Sequence, residues 1–299
     1  MIKGAKKAIS YVATAVIVIS IVGIYAWQRY DRQHVLELFV WDIPGGPCIF
    51  IRTPNDKRVL VNGGSNSDVI RHMTEVLPFY SRRIDSIIST DTDGKHASGL
   101  IDVTDRYKIT EVIVPTVTPN DLGVSTTTDP VYKVFSDTVH DQNVPIKMVE
   151  AGVVIDLDED VSMRVVFPVL ASEFQYSKAS EPEIAFQVKY ANTAILVIGQ
   201  ASTKVQKLIA QSDSIRSDVL IMSHSAIASN VASELILAVK PEYLVHSQAL
   251  QMSASKKKAA PKKEKPDPLA GILGGKRFNI RETGKVKITS DGKAVGITL

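Results

Sequence analysis

The sequence predicts an α/β protein in which two packed β-sheets carry helices on their outer faces, preceded by one transmembrane helix. Two observations lead to this fold class. An apolar run near the N-terminus is long enough to cross a bilayer. Behind it, strand hairpins are followed by alternating strands and helices, and this order occurs twice along the chain. Such a succession is typical of two sheets covered by helices.

The apolar run covers residues 8–27, which are twenty residues without a charge, sixteen of them apolar. As a helix this segment spans roughly 30 Å, the thickness of a bilayer core. The run ends in Tyr25-Ala26-Trp27 rather than in the small residues of a cleavage site, which favours a retained anchor. A cleaved signal peptide and a buried core helix are the alternatives.

Charges on the two sides of this run predict its orientation. Three lysines and no acid lie in residues 1–7, whereas residues 28–34 carry Arg29, Asp31 and Arg32. The positive-inside rule therefore predicts a cytoplasmic N-terminus, a short linker at 28–34 and an extracytoplasmic domain at 35–299. The protein is expected in the cell membrane as a single-pass protein. A single Cys48 excludes a disulfide framework within the chain.

The first half of the domain is predicted from apolar runs separated by turn residues. Residues 54–57, Pro-Asn-Asp-Lys, have turn chemistry, and residues 68–77 carry apolar side chains at helical spacing. A further helix is expected after a polar loop that ends near His96. The predicted strands lie at 36–41, 48–53, 58–61, 84–89 and 111–114.

The second half repeats this arrangement. Helices are predicted at 132–141, 204–211 and 231–239. Strands are predicted at 146–149, 163–167, 185–190, 193–198, 219–222 and 243–246, with two or three more in 277–299.

Residues 253–275 interrupt the pattern, because they show neither strand nor helix periodicity and end in a Gly pair. They are interpreted as a flexible surface loop. The stretch 253–268 carries a charge of +4, so that the remaining residues sum to −1 although the whole chain carries +3. The segment is either a solvated loop or a contact for the phosphates of nucleic acid or anionic lipid. The lysines concerned are Lys256, Lys257, Lys258, Lys262, Lys263 and Lys265.

The loop after the strand at 84–89 carries the groups best suited to chemistry. Asp91, Asp93 and His96 follow directly on that strand, where reactive groups are often held. They could gather around one cation. Alternatively, acidic and threonine side chains cap the next helix and His96 packs beneath it. Spacing alone leaves both interpretations open.

The chain resembles the metallo-β-lactamase fold and, within it, the extracytoplasmic domain of the ComEC DNA-uptake proteins. The resemblance extends over residues 36–298 except for the lysine segment. It implies a four-layer αββα metallo-β-lactamase-like sandwich, with zinc as the cofactor of the family. The segments that carry it are FVWDI at 39–43, IFIRTPNDKRVLVNGG at 49–64, LPFYSRRIDSIIST at 77–90, LVIGQ at 196–200, DVLIMSH at 218–224 and TGKVKITSDGK at 283–293.

The metal motifs of that family are degenerate in this chain. Where the family has T-H-x-H-x-D-H, residues 90–96 are T-D-T-D-G-K-H. Lys95 would place a cation where a divalent metal should lie, so we expect no zinc, no metal ligands and no catalytic residues. The positions matching the family's ligands are Asn62, Asp91, Asp93, Lys95, His96, Gln200 and His224.

Two interpretations of these positions remain. Asp91, Asp93, His96 and His224 could hold a single metal, and their oxygen-rich character suits magnesium, manganese or calcium. Alternatively, Lys95 forms salt bridges with Asp91 or Asp93, which would leave a metal-free polar plug.

The predicted function is therefore binding or scaffolding by a catalytically inactive domain held at the membrane. The resemblance implies a link to DNA uptake, with DNA or a protein of the uptake machinery as partner. Two alternatives from other classes remain. One is a phosphodiesterase or nuclease with a single metal, and the other is a DNA-binding protein that acts through its lysine loop.

Overall fold

The computed structural model describes residues 11, 13–20, 22–23, 34–116, 129–170, 174, 176, 182–223, 231–247 and 276–299. His224 and the predicted lysine loop at 253–275 lie outside these residues, and the predicted span at 8–27 is described only in part. Within the described residues, no helix has the length and apolar character needed to cross a membrane.

The strands and helices alternate much as predicted. The strands are β1 (Leu36–Ile43), β2 (Gly46–Arg52), β3 (Arg58–Val61), β4 (Arg83–Ile88), β5 (Lys108–Pro115), β6 (Ile146–Val149), β7 (Val154–Asp158), β8 (Val161–Phe167), β9 (Ala185–Tyr190), β10 (Thr193–Ile198), β11 (Val219–Met222), β12 (Tyr243–His246), β13 (Lys276–Asn279), β14 (Lys285–Ser290) and β15 (Val295–Thr298). The helices of the domain are α1 (Asp68–Val76), α2 (Gly94–Arg106), α3 (Pro130–Asp141), α4 (Thr203–Ile209), α5 (Ser233–Val239) and α6 (Ile280–Thr283).

These strands form two sheets. The first has the order β15-β14-β1-β2-β3-β4-β5-β6, and the second has the order β13-β12-β11-β10-β9-β8-β7. Each sheet combines antiparallel hairpins with four neighbouring parallel strands, β3 to β6 in the first and β10 to β13 in the second. The repetition predicted from the sequence is thus confirmed as two sheets of similar construction.

The two sheets pack face to face, and helices cover their outer faces. In β1, Leu38 and Val40 point into the core between the sheets, whereas Trp41 packs on the other face with Phe50 and the helices α1 to α3. This alternation follows from the period of two in a strand. A third cluster joins α4 and α5 to the outer face of the second sheet. The four-layer αββα architecture is therefore confirmed.

Two elements were not predicted. Strand β7 contains Ile155 and Leu157, each followed by an aspartate. Both apolar side chains are buried, and the backbone pairs with β8. The four-residue helix α6 begins at Ile280, which is buried between the sheets. Both elements are short, and their apolar residues are stabilised by packing rather than by local preference.

The position of α2 depends on Gly99. A Cβ atom on this residue would lie 2.0 Å from the carbonyl oxygen of Gly63 and 2.6 Å from that of Asn66. The helix thus approaches the backbone after β3 more closely than any side chain permits. This contact fixes α2, and with it the residues at its N-terminus.

Replacing Gly99 by Ala is expected to destabilise the fold by about 1–3 kcal/mol, because overpacking of this contact must move backbone atoms. In an ordinary helix interior the same change would stabilise by about 1 kcal/mol. Urea unfolding of G99A beside the neighbouring Ser98→Ala tests this. Equal or higher stability of G99A would show that the close approach is not required.

Candidate functional site

The candidate site lies where the parallel strands of both sheets end. Asn62 follows β3 and Thr90 lies two residues beyond β4, which are adjacent parallel strands in the first sheet. Gly199 and Ser223 follow β10 and β11, which are adjacent parallel strands in the second sheet. Ligand sites of α/β proteins commonly lie at the carboxyl ends of such strands. The two sheets therefore bring residues from four distant segments to one place.

Asn62 holds the base of this site. Its backbone has φ +59, a left-handed conformation that Asn adopts more readily than most residues. The amide oxygen accepts a hydrogen bond from the Thr90 backbone N–H at 3.0 Å, and the amide nitrogen donates to Thr90 Oγ1 at 2.9 Å. Both side-chain groups of Asn62 are thus occupied within the protein.

The central contact of the site joins Asp91 to His96. Asp91 Oδ2 lies 2.7 Å from His96 Nδ1, and both side chains are 5% exposed. Asp93 caps α2 by accepting a hydrogen bond from the Lys95 backbone N–H at 2.9 Å. The interpretation in which an acid caps the helix and His96 packs beneath it is therefore confirmed for these residues.

The structure contradicts the role expected for Lys95. Its side chain is exposed, and no carboxylate of a described residue lies within ion-pair distance of its ammonium group. Neighbouring residues point about 100° apart around a helix, and here His96 faces the interior whereas Lys95 faces solvent. The interior cation is the imidazole of His96, and the predicted salt bridges of Lys95 with Asp91 or Asp93 are wrong.

Burial and charge act in opposite directions on His96. Burial alone lowers the pKa of this imidazole, but the hydrogen bond and the charge of Asp91, supported by Glu183 and Asp93, raise the pKa to about 9. The ring is therefore charged at neutral pH. It forms a buried ion pair with Asp91 rather than a neutral imidazole of the kind that binds metals.

The second ring nitrogen of His96 faces Gln200. Nε2 lies 3.2 Å from Gln200 Nε2. A charged imidazole donates a hydrogen bond from each of its nitrogens, so the Gln200 side chain should turn its amide oxygen towards His96. Rotation of the amide group by 180° exchanges its oxygen and nitrogen. In either orientation, both nitrogens of His96 have contacts inside the protein.

Glu183 completes the site and was not singled out from the sequence. It precedes β9 and is buried; Oε2 accepts a hydrogen bond from the Gln200 backbone N–H at 2.6 Å. A Cβ atom on Gly199 would lie 1.5 Å from Glu183 Oε1, so that only glycine leaves room for the carboxyl group. Burial and the nearby charge of Asp91 raise the pKa of Glu183 to about 7. The signal in the sequence was an acid beside the buried run Ile184-Ala185-Phe186.

A small cavity lies between these groups and the two sheets. Its volume is about 20 Å³, which is room for one water molecule. Ser223 lines this cavity, and its buried Oγ has no hydrogen-bond partner among the described residues. The start of β2 covers His96, since a Cβ atom on Gly46 would lie 3.2 Å from the His96 Nε2. Between these buried groups there is therefore room for a ligand the size of a water molecule.

The fold thus brings together only some of the positions that the resemblance matches to metal ligands. Asn62, His96 and Gln200 line one cavity, and Asp91 pairs with His96 beside it. Asp93 caps a helix, and Lys95 is exposed to solvent. In the part of the chain that the structure describes, no group of three His, Cys, Asp or Glu side chains is arranged to hold a metal ion. His224 lies outside the described residues.

Comparisons with known proteins give a fold likeness at low similarity. No family model matches the chain. No curated protein matches it either. Solved structures similar to the chain include a mutant of the β-hydroxylase CmlA, with 14% identity, a TM-score of 0.45, and coverage of 71% of this chain but 45% of CmlA.

Two further similar structures match more of their own length. A diphosphatase of the PhnP family has 14% identity and a TM-score of 0.43, with 71% of this chain and 86% of that chain covered. The subclass B3 metallo-β-lactamase MEM-A1, isolated from a soil metagenome library, has 13% identity and a TM-score of 0.42, with coverage of 66% and 78%. Likenesses of this strength carry no argument about activity. The four-layer αββα architecture is established from the strand order and packing of this chain.

Proposed function

We propose that this chain is a membrane-anchored protein whose metallo-β-lactamase-like domain is catalytically inactive and works by binding or scaffolding. The observation that carries the proposal is the buried ion pair of Asp91 and His96, 2.7 Å between Oδ2 and Nδ1. It occupies the position of the metal site in the family that the sequence resembles. Gln200 and Asn62 contribute neutral amides there, and their hydrogen bonds are made within the protein.

These residues do not fit a catalytic zinc. A zinc site needs neutral imidazoles and free carboxylates. Here the imidazole is held in its charged form, and Asp91 accepts a hydrogen bond from the Asp93 backbone N–H at 3.1 Å besides pairing with His96. A metal would have to displace a proton with a pKa of about 9 and break a buried ion pair. We therefore derive no hydrolytic step for this site.

The anchor is proposed from the apolar run at 8–27, and the biological setting from the resemblance to ComEC proteins. In this proposal the N-terminus is cytoplasmic and the domain faces the outside of a bacterial cell. The partner is DNA or a protein of the uptake machinery. Extraction of membranes at alkaline pH tests the anchor, because an integral protein stays in the membrane pellet and a peripheral one is released.

Metal analysis tests the inactive site directly. After incubation of the purified chain with zinc or manganese and removal of free metal, we expect far less than one bound metal per chain, and equal amounts in the parent and in His96→Ala. Nuclease and phosphodiesterase rates with magnesium or manganese should also be equal in the two proteins. Stoichiometric metal and a hydrolytic rate that are both lost in H96A would support the single-metal hydrolase instead.

The lysine segment supports a second candidate, direct DNA binding. Six lysines lie in residues 256–265, and phosphate contacts of this kind are released by salt. If this segment binds DNA, affinity should fall steeply between low and moderate salt. Changing all six lysines to Gln should abolish binding, while Lys95→Gln, an exposed lysine near the interior site, should leave it unchanged. A salt-independent affinity would remove this candidate.

A further inference from the structure

The domain has two opposite ends, and the interior site lies at one of them. Strand β1 begins at Leu36 and reaches the site only at its other end, where Gly46 at the start of β2 lies over His96. Helix α2 begins beside the site and ends at Arg106, which is roughly 20 Å further along its axis. The segment that precedes β1 therefore enters the domain at the end remote from the site.

A pair of exposed aromatic side chains lies at that remote end. Phe79 is 89% exposed and Tyr80 is 67% exposed, and their rings meet edge to face with centroids 5.4 Å apart. They lie in the loop between α1 and β4. This loop is connected to the start of β1, because Arg52 pairs with Glu37 and also donates a hydrogen bond to the Val76 carbonyl oxygen at 3.3 Å. Two large exposed rings side by side are unusual on a surface that meets only water.

Cationic residues lie in the same loop and in the segment that pairs with it. Arg82, Arg106 and Lys108 are exposed, and none of them has an ion pair with a carboxylate of a described residue. The Arg82 guanidinium lies 5.8 Å from the centroid of the Tyr107 ring, and the Arg82 carbonyl accepts a hydrogen bond from the Lys108 backbone N–H at 2.7 Å. We name Phe79, Tyr80, Arg82, Arg106 and Lys108 the aromatic-basic surface.

We propose that the aromatic-basic surface contacts the headgroups of anionic lipids, so that the domain stands on the membrane with its interior site turned away. This inference rests on the proposed anchor at 8–27. Residues 28–34 can reach at most about 25 Å even when fully extended, so the end of the domain where β1 begins is held close to the bilayer. Tyr and other aromatic rings favour the headgroup region, and each nearby Arg or Lys adds attraction to anionic lipid.

The same end also carries acids. In the first half of the domain Asp105 is exposed beside Arg106 and Asp85 pairs with Arg83, and a group of three acids lies on the other sheet. Asp158 ends β7, and Glu159 and Asp160 form the turn to β8. Asp158 accepts a hydrogen bond from Thr53 Oγ1 at 2.6 Å. Anionic lipid repels this turn. The domain is therefore expected to tilt, with the loop of Phe79 and Tyr80 against the lipid and Glu159 away from it.

Fluorescence quenching in the full chain tests this orientation. Single cysteines are introduced by Phe79→Cys, Glu159→Cys, Lys95→Cys and Ser20→Cys, and each carries an environment-sensitive dye. The native Cys48 is fully buried and its pKa is raised by burial, so it should not react. The proteins are reconstituted into phosphatidylcholine vesicles with or without phosphatidylglycerol, and quenchers are attached to the lipids.

The expected result is strong quenching and a blue-shifted emission at positions 79 and 20, with little change at 159 and 95. Phosphatidylglycerol should increase the quenching at 79, and Arg82→Gln with Lys108→Gln should remove that increase. Quenching at 20 but not at 79 would overturn the orientation while leaving the anchor intact. No quenching at 20 would overturn the anchor and this inference with it. A dye at 79 that responds to a single-stranded oligonucleotide instead of to lipid would overturn it in favour of nucleic acid.

Discussion

Replacing His96 by Ala is expected to lower the free energy of unfolding by about 3–5 kcal/mol, among the largest effects of a single substitution in this domain. The substitution leaves the Asp91 carboxylate buried without its partner. It also leaves Asp91 near Glu183, whose pKa is already raised by burial and by the charge of Asp91. Loss of a buried partner costs more than the net contribution of the pair, because the remaining charge is not solvated.

A double-mutant cycle separates the ion pair from the lost packing. Asp91→Asn removes the unpaired charge, so D91N/H96A should be more stable than the sum of the two single changes predicts. Lys95→Ala is the matched control, since it alters the adjacent but exposed residue; its effect should stay within about 0.5 kcal/mol. Urea unfolding of the full chain provides the measurement. Additive effects of D91N and H96A would show that the two side chains do not interact.

The second large effect is a loss of stability as pH rises. The pKa of His96 is raised from 6.5 to about 9 in the folded protein, so the folded state holds this proton more tightly than the unfolded state. The stabilisation is complete below pH 6.5 and is lost as pH rises through 9, a change of about 3 kcal/mol. Glu183 acts in the same direction at lower pH, because its pKa is raised from 4.5 to about 7.

Variants that do not titrate can show which part of the pH dependence of stability belongs to His96 and which to Glu183. His96→Gln should remove the dependence of unfolding free energy on pH between 6.5 and 9, and Glu183→Gln should remove the dependence between 4.5 and 7. Nuclear magnetic resonance of the His96 ring nitrogens should show a titration midpoint near 9 in the parent protein. A midpoint near 6.5 would mean that Asp91 does not hold the proton on this ring.

Much of the architecture follows from the sequence because strands and helices leave local patterns. The alternation of Leu38, Val40 and Trp41 predicts a strand with two different faces, and the spacing in residues 68–77 predicts α1. The predicted sheets, their doubling and the covering helices are confirmed. The strand β7 was missed because only two buried residues and its pairing with β8 distinguish it from an acidic loop.

The candidate site was predicted less completely. The sequence by itself places Asn62, Lys95 and Gln200 in the segments that carry the resemblance, and their replacement of metal ligands stays a prediction from that resemblance. It could not decide which of two adjacent residues faces inward. That choice depends on the rotation of α2 against the first sheet, which the contact of Gly99 with Gly63 fixes.

Only the tertiary structure brought Glu183 beside Asp91 and His96. The residue precedes β9 in the second sheet, whereas Asp91 follows β4 in the first, and no local pattern connects segments about ninety residues apart. Electrostatics act through space, so the charge and the pKa of each group depend on neighbours that the chain order does not indicate. The sequence thus determined the order of the strands and helices, and the packing of the two sheets decided that His96 is buried beside Asp91 and Glu183.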